Sequence, residues 1–154
     1  MSETTSEPLP PAVLWKRLLA IVYDSLIYMA LAMAYTALVL FIQVQISGEP
    51  APGERASMGT LGFIGLVFFL SSFCSFCWRA KGGQTLGMKA WRLILVNEEG
   101  KKPSWGQCYI RCLLAPIMFC LGGIGYFYAL IDKESRTLHD IFSKTRMLQL
   151  PKSK

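Results

Sequence analysis

The sequence predicts an all-α membrane protein: a small helical bundle of two full spans plus a broken third span or re-entrant hairpin, with a short cytoplasmic β pair. Two observations lead to this fold class. Apolar residues occupy 53% of the 154 positions, and the mean hydropathy of +0.37 is high for a soluble domain. The apolar residues also form runs of roughly 20 residues, the length of helix that crosses a bilayer core.

The chain divides into a polar lead, one membrane domain and a tail. Residues 1–13 are polar, acidic and proline-bearing, which predicts a disordered lead and not the basic start of a signal peptide. Residues 14–150 are expected to form a single membrane domain, followed by a tail at 151–154. The spans are predicted at about 16–44, 59–78 and 105–131.

The basic residues are distributed unevenly, although the net charge is +6. They precede the first span, fill segment 79–107 and recur after Ile131, whereas the 47–58 loop carries only Arg55 beside two glutamates. Because loops rich in Lys and Arg stay in the cytoplasm, the N-terminus, segment 79–107 and the tail are predicted to be cytoplasmic. We interpret this distribution as a sign of membrane topology and expect no nucleic-acid partner. Three simple spans would place the N-terminus and the basic tail on opposite sides of the membrane, which conflicts with this prediction.

The third apolar run carries signals of a broken helix. Ser104 and Gln107 have capping-box spacing, Pro116 removes a backbone donor, and the glycines of 121–125 supply flexible backbone. Non-helical backbone at membrane depth is tolerated when it is buried in protein, so a hairpin that enters and leaves on one side is possible. The alternative is one tilted span that leaves the tail outside.

Two short runs predict the β pair. Residues 92–96 are β-rich and end in a turn, and residues 146–150 form a weaker strand candidate stopped by Pro151. An isolated pair of strands is marginal in water, so this pair is expected to lie against the helix ends on one face of the membrane.

Four motifs in order resemble the RDD family of bacterial membrane proteins, which is named for one arginine and two aspartates. They are Arg17-x-x-Ala20-x-x-x-Asp24, Gly83-Gln84-Thr85-Leu86-Gly87-x-Lys89, the strand and turn of 92–100, and Leu138-His139-Asp140 followed by Lys144-Thr145-Arg146. The resemblance spans about 14–150. It makes Arg17 the family arginine, and Asp24 and Asp140 the two aspartates. Ser143-Lys144-Thr145 departs from the small residues expected before the threonine, which puts a tight turn there in doubt.

The resemblance implies a location in the bacterial inner membrane and a transport role, with cation/proton exchange proposed for some members. Asp24 lies two helical turns beyond Arg17, about 10 Å further along the axis. An ionisable residue inside a span costs on the order of 2.5 to 3.5 kcal/mol and is by default turned inward, paired or functional. Burial favours the protonated carboxyl and a nearby cation the charged one, so such a group could exchange a proton for a metal ion. We therefore predict an ion or proton site from Arg17, Asp24 and Asp140.

Structural alternatives remain open for each of these residues. Asp24 could be a fixed counter-ion with Arg111 as its partner, which would specify helix register without transport. Asp140 follows Thr137 by three residues and could satisfy backbone donors in the first turn of a helix. His139 could relay protons, or it could be a packing residue.

Two function hypotheses follow. The first is a transporter of small monovalent cations in exchange for protons; it would work as a homo-oligomer, because two spans and a hairpin cannot readily enclose a pathway. The second is a membrane scaffold or accessory subunit whose buried charges are structural. The paired cysteines of 74–77 and 108–112 lie in apolar helix, where thiols behave as small hydrophobes, so no metal is expected. The chain offers no catalytic constellation, and we expect neither an enzyme nor a cofactor.

Overall fold

The fold was determined as a computed structural model that describes residues 9–48, 50, 53, 56–80, 83–132 and 134–151. Its elements in chain order are α1 Leu14–Ser47, α2 Gly59–Arg79, α3 Leu86–Ala90, β1 Leu93–Asn97, α4 Trp105–Cys120, α5 Ile124–Phe127, a 3-10 helix Tyr128–Leu130, α6 Leu138–Phe142 and β2 Thr145–Gln149. The mostly helical character predicted from the sequence is confirmed.

Helices α1 and α2 are the two elements long and apolar enough to cross a membrane within the described ranges. They contain 34 and 21 residues and coincide with the first two predicted spans. Much of their apolar surface faces outward: Leu61 is 85% exposed and Met33 67%. Such surface is expected of helices whose solvent is lipid.

The third apolar run is bent, as its glycines and proline predict. The predicted capping box starts α4: the Gln107 amide donates to Ser104 Oγ at 3.2 Å, and the Ser104 amide donates to Gln107 Oε1 at 2.8 Å. After Cys120, α5 and the 3-10 helix continue at 106° to α4. Gly122 and Gly123 lie in this break with φ of 72° and 74°, a left-handed conformation that glycine adopts without steric cost.

The predicted β pair is present. β1 and β2 are antiparallel, with Leu95 opposite Met147. Residues 10–12, which we call the edge segment, lie along the free edge of β2. The Ala12 amide donates to the Met147 carbonyl and the Gln149 amide donates to the Pro10 carbonyl, both at 2.9 Å. The prediction of a disordered lead is therefore wrong for residues 9–13, whereas residues 1–8 and tail residues 152–154 lie outside the described ranges.

Both termini of the domain lie at the same end of the bundle. The edge segment precedes α1, β1 follows α2, and β2 follows the bent pair, yet all three join in one sheet. Gln107 in the first turn of α4 also donates to the Lys144 carbonyl at 3.1 Å. A straight third span that carries the tail to the far end is incompatible with these contacts.

The core lies at this sheet end. Leu93 and Leu95 of β1 and Cys108 of α4 are fully buried, and they pack with Trp78 of α2 and Met88 of α3. Burial of apolar surface is the main force that holds such elements together. The core thus joins the sheet to α3 and to the ends of α1, α2 and α4, beside the predicted site residues.

Candidate functional site

A cluster of three buried charges lies where α1, α4 and α6 meet. Asp140 is fully buried, and Arg17 and Arg111 are each 3% exposed. Arg17 Nη1 donates to Asp140 Oδ2 at 2.5 Å, and Arg111 Nη1 donates to Asp140 Oδ1. We refer to Arg17, Arg111 and Asp140 as the charge cluster. It connects the starts of two long helices to the last short helix of the chain.

Asp140 also accepts a backbone hydrogen bond at the start of α6. The Thr137 amide donates to Asp140 Oδ2 at 3.0 Å, which agrees with the structural alternative for Asp140, a role in the first helical turn. Burial by itself would raise the pKa of Asp140, but the charges of Arg111 and Arg17 outweigh it and hold that pKa below its usual value. Asp140 is therefore ionised at neutral pH.

The two arginines hold further parts of the fold. Arg17 Nε donates to the Ala12 carbonyl at 3.0 Å and Arg17 Nη2 to the Met147 carbonyl at 3.4 Å. Arg111 Nη1 donates to Thr145 Oγ1 at 2.9 Å, and its guanidinium lies 5.5 Å from the centre of the Trp78 ring. The charge cluster thus joins α1, α4, the edge segment and β2.

His139 is buried beside this cluster and is neutral. Burial lowers its pKa to about 3, and the positive charges of Arg111 and Arg17 add to that effect more than Asp140 offsets it. Thr137 Oγ1 lies 2.9 Å from His139 Nε2, and the ring centres of His139 and Tyr126 are 4.7 Å apart. A side chain that does not titrate near pH 7 favours the packing interpretation over a proton relay.

Asp24 lies apart from the charge cluster. Its Oδ2 accepts from Thr85 Oγ1 at 2.5 Å, and its Oδ1 accepts from the Gly87 amide at 2.8 Å. It therefore holds the start of α3 against α1. The structural alternative in which Arg111 pairs with Asp24 is wrong, because Arg111 pairs with Asp140 and no ion pair involves Asp24 in the described part of the chain.

Gly87 permits this contact. A Cβ atom at residue 87 would overlap the Ala20 carbonyl oxygen and would lie 2.9 Å from the Asp24 carboxylate. The sequence motif of 83–89 contains Thr85 and Gly87, but no local pattern in the sequence indicates their role. Only the crossing of α1 and α3 shows why a glycine is needed.

A cavity of about 650 Å³ lies between α1, α2 and α4. Arg17, Arg111, His139 and Asp24 all line it, and most of the remaining wall is apolar. The predicted site is therefore divided: Arg17 and Asp140 are in contact, and Asp24 faces the same cavity from another position. Among the described residues no group of three or more His, Cys, Asp and Glu could hold a metal ion.

Sequence similarity connects the chain with a known family. Residues 11–144 match the sequence model of the RDD family, a range that includes Arg17, Asp24 and Asp140. The chain is also similar to the uncharacterized protein YxaI of Bacillus subtilis (strain 168), with 30% identity over 152 residues, which cover 90% of this chain and 97% of that protein. No solved structure matches the chain.

Proposed function

Because this chain belongs to the RDD family, we propose that it is a membrane transporter of small cations in exchange for protons, and that Asp24 is its titrating group. One observation carries the proposal: a carboxylate on a long apolar helix faces a cavity, and no described residue provides it with a counter-charge. An intramembrane ionisable residue is by default a functional candidate.

The charge cluster is less suited to carry the exchanged ion. Asp140 contacts two arginines and a backbone amide, so its charge is already compensated. A proton or cation that replaced them would leave two guanidiniums buried without their partner, which is strongly unfavourable. We assign the cluster to the assembly of the fold.

Exchange at Asp24 would involve Thr85. The ionised Asp24 carboxylate accepts a hydrogen bond from the Thr85 hydroxyl, whereas a protonated Oδ2 would have to donate a hydrogen bond to Thr85 Oγ1. A bound cation would compete with the hydroxyl for the same carboxylate. Proton loss and cation binding would thus be coupled through one oxygen.

Oligomerisation and orientation are part of the proposal. The cavity of a single chain is partly open, so a second copy would be needed to close a pathway. We place the protein in the bacterial inner membrane with the sheet end, and hence both termini, in the cytoplasm, because the basic segments lie at that end.

A non-transporting scaffold is the second candidate. Both oxygens of Asp24 already accept hydrogen bonds, and the carboxylate stabilises the contact of α1 with α3. A half-buried carboxylate whose two oxygens each have a donor needs no further role.

The experiment compares wild type, Asp24→Asn and the exposed control Glu99→Gln in vesicles that contain a pH-sensitive dye. Addition of Na⁺, Li⁺ or K⁺ is expected to release protons with wild type and Glu99→Gln, and not with Asp24→Asn. Asparagine keeps the shape of the side chain and removes only its charge. Exchange by folded Asp24→Asn would reject Asp24 as the carrier, and a folded wild type without exchange would favour the scaffold.

A further inference from the structure

The cavity has one charged end and one apolar end. Arg17 is in the first turn of α1 and Arg111 in the second turn of α4, both near the sheet end. Leu70 and Val67 of α2 line the cavity further along. Val67 lies 11 residues before Trp78, about 16 Å along the helix axis. The cavity therefore extends from two arginines into the apolar interior of the bundle.

The charged end has unused hydrogen-bond donors. The Arg111 side chain donates two hydrogen bonds to described residues, and both come from Nη1. Its Nε and Nη2 have no acceptor among the described residues. His139 Nδ1, which is a donor or an acceptor according to the ring tautomer, is buried and also lacks a partner in the described part of the chain. Both side chains line the cavity. A buried ring nitrogen without a partner is uncommon, and the free Arg111 donors are available to a ligand or to water.

The charge at this end is also unbalanced. Two arginines face one aspartate, and His139 is neutral, so the charge cluster has a net charge of +1. Asp24 lines the same cavity two turns away, but its oxygens accept from Thr85 and Gly87 and form no ion pair with either arginine. An anion with free oxygens complements this end.

We propose that the cavity binds an anionic phospholipid, with its phosphate at Arg111 and Arg17 and an acyl chain along the apolar wall. Guanidinium groups are well suited to phosphate because their N–H donors match its oxygens. The position of the cavity relative to the bilayer also suits a phospholipid. The arginines lie near the helix ends, at the level of headgroups, and the apolar end of the cavity lies at the level of acyl chains. A small soluble anion would leave most of the cavity unfilled.

The proposal does not rest on ion exchange, although the lipid would occupy the cavity that Asp24 faces, and it is tested without a gradient. The purified chain in detergent is titrated with phosphatidylglycerol or with phosphatidylcholine of identical acyl chains, and binding is measured by native mass spectrometry and by the shift in Tm. Phosphatidylglycerol is expected to bind about tenfold more tightly, because phosphatidylcholine carries the same phosphate but also places a choline cation beside the two arginines. Equal binding of the two lipids would overturn the proposal.

A pair of variants locates the binding site without altering the charge cluster. Ala115 lines the cavity, and Ala115→Phe is expected to fill it and to reduce binding of phosphatidylglycerol about tenfold. Ala34 is exposed on α1 away from the cavity, and Ala34→Phe is the matched control with unchanged binding. Equal binding by the two folded variants would show that the lipid only coats the surface. If inorganic phosphate raised the Tm as much as the lipid does, the ligand would be a soluble anion and the lipid proposal would be rejected.

Discussion

At the residue scale, Asp140 determines whether two guanidiniums can be buried. Arg17 and Arg111 arrive from different helices, and each is almost excluded from solvent. Desolvation of each positive charge is unfavourable, and only the shared carboxylate and a few oxygens compensate for it. The stability of the sheet end therefore depends strongly on one side chain.

Asp140→Asn is expected to lower the free energy of unfolding by about 3–5 kcal/mol, because it leaves two buried cations without a counter-charge. The matched control is Glu134→Gln, since Glu134 also pairs with two arginines but is 48% exposed. Reversible unfolding in detergent would measure both changes. Similar losses for the two variants would contradict a special role for the buried cluster.

Gly87→Ala is expected to destabilise the protein, because the new Cβ would push α3 away from the Ala20 carbonyl and from Asp24. Gly106→Ala is the control, since a Cβ there meets nothing within 4 Å and alanine favours helix. Melting temperatures of the two variants would separate the clash from a general effect of glycine replacement. An unchanged Tm for Gly87→Ala would contradict the close contact.

Stability is expected to fall on acidification because of His139. Its pKa is lowered to about 3 in the folded chain, whereas an unfolded histidine titrates near 6.5. The unfolded state therefore takes up an additional proton as the pH falls below 6.5, and stability is lost at up to about 1.4 kcal/mol per pH unit towards pH 3. The Asp140 contribution is fully present above the unfolded aspartate pKa of about 3.9 and is lost as the pH falls below that value.

His139→Gln removes the titrating group and tests this assignment. Unfolding in detergent between pH 7 and pH 4 should depend less on pH for the variant than for wild type. If both chains lost stability in parallel over this range, another group would be responsible.

At the element scale, the edge segment of residues 10–12 changes how the N-terminus is understood. It extends the sheet beyond β2 and supplies the Ala12 carbonyl to Arg17. A two-stranded sheet is marginal alone, so the added segment and the helix ends are needed to hold it.

Removal of residues 1–12 is expected to expose the edge of β2 and to leave Arg17 Nε without an acceptor. Removal of residues 1–8 keeps Pro10 and Ala12 and is the control. Hydrogen exchange at the Gln149 amide, which donates to Pro10, should be faster only in the shorter chain. Equal protection in the two chains would show that the segment does not stabilise the sheet.

At the scale of the whole molecule, the sheet fixes the relative positions of the chain ends. Single cysteines at Glu99 and Glu134, in a chain without its native cysteines, should react with an impermeant maleimide from one side of a membrane. A cysteine at Ala56, between α1 and α2, should react from the other side. Labelling of the Glu134 position together with the Ala56 position would contradict the bent third run.

Local signals predicted the elements well. The Ser104 capping box, the glycine break and the two β runs were predicted because each depends on residues close together in sequence. The edge segment was missed because polar composition and proline resemble disorder until a partner strand is present. Thr85 and Gly87 were missed as site residues because their role depends on where α1 crosses α3.

The sequence alone predicted two long apolar helices, a strand pair, the charged residues of the site, and a third apolar run that is either broken or one tilted span. Only the tertiary structure decided how these charges pair. Arg17 and Asp140 are 123 residues apart, and Arg111 and Asp140 are 29 apart. Helical periodicity relates the positions of residues within one helix and not between helices. The return of α6 to the sheet end places Asp140 between the two arginines, whereas Asp24 contacts the start of α3.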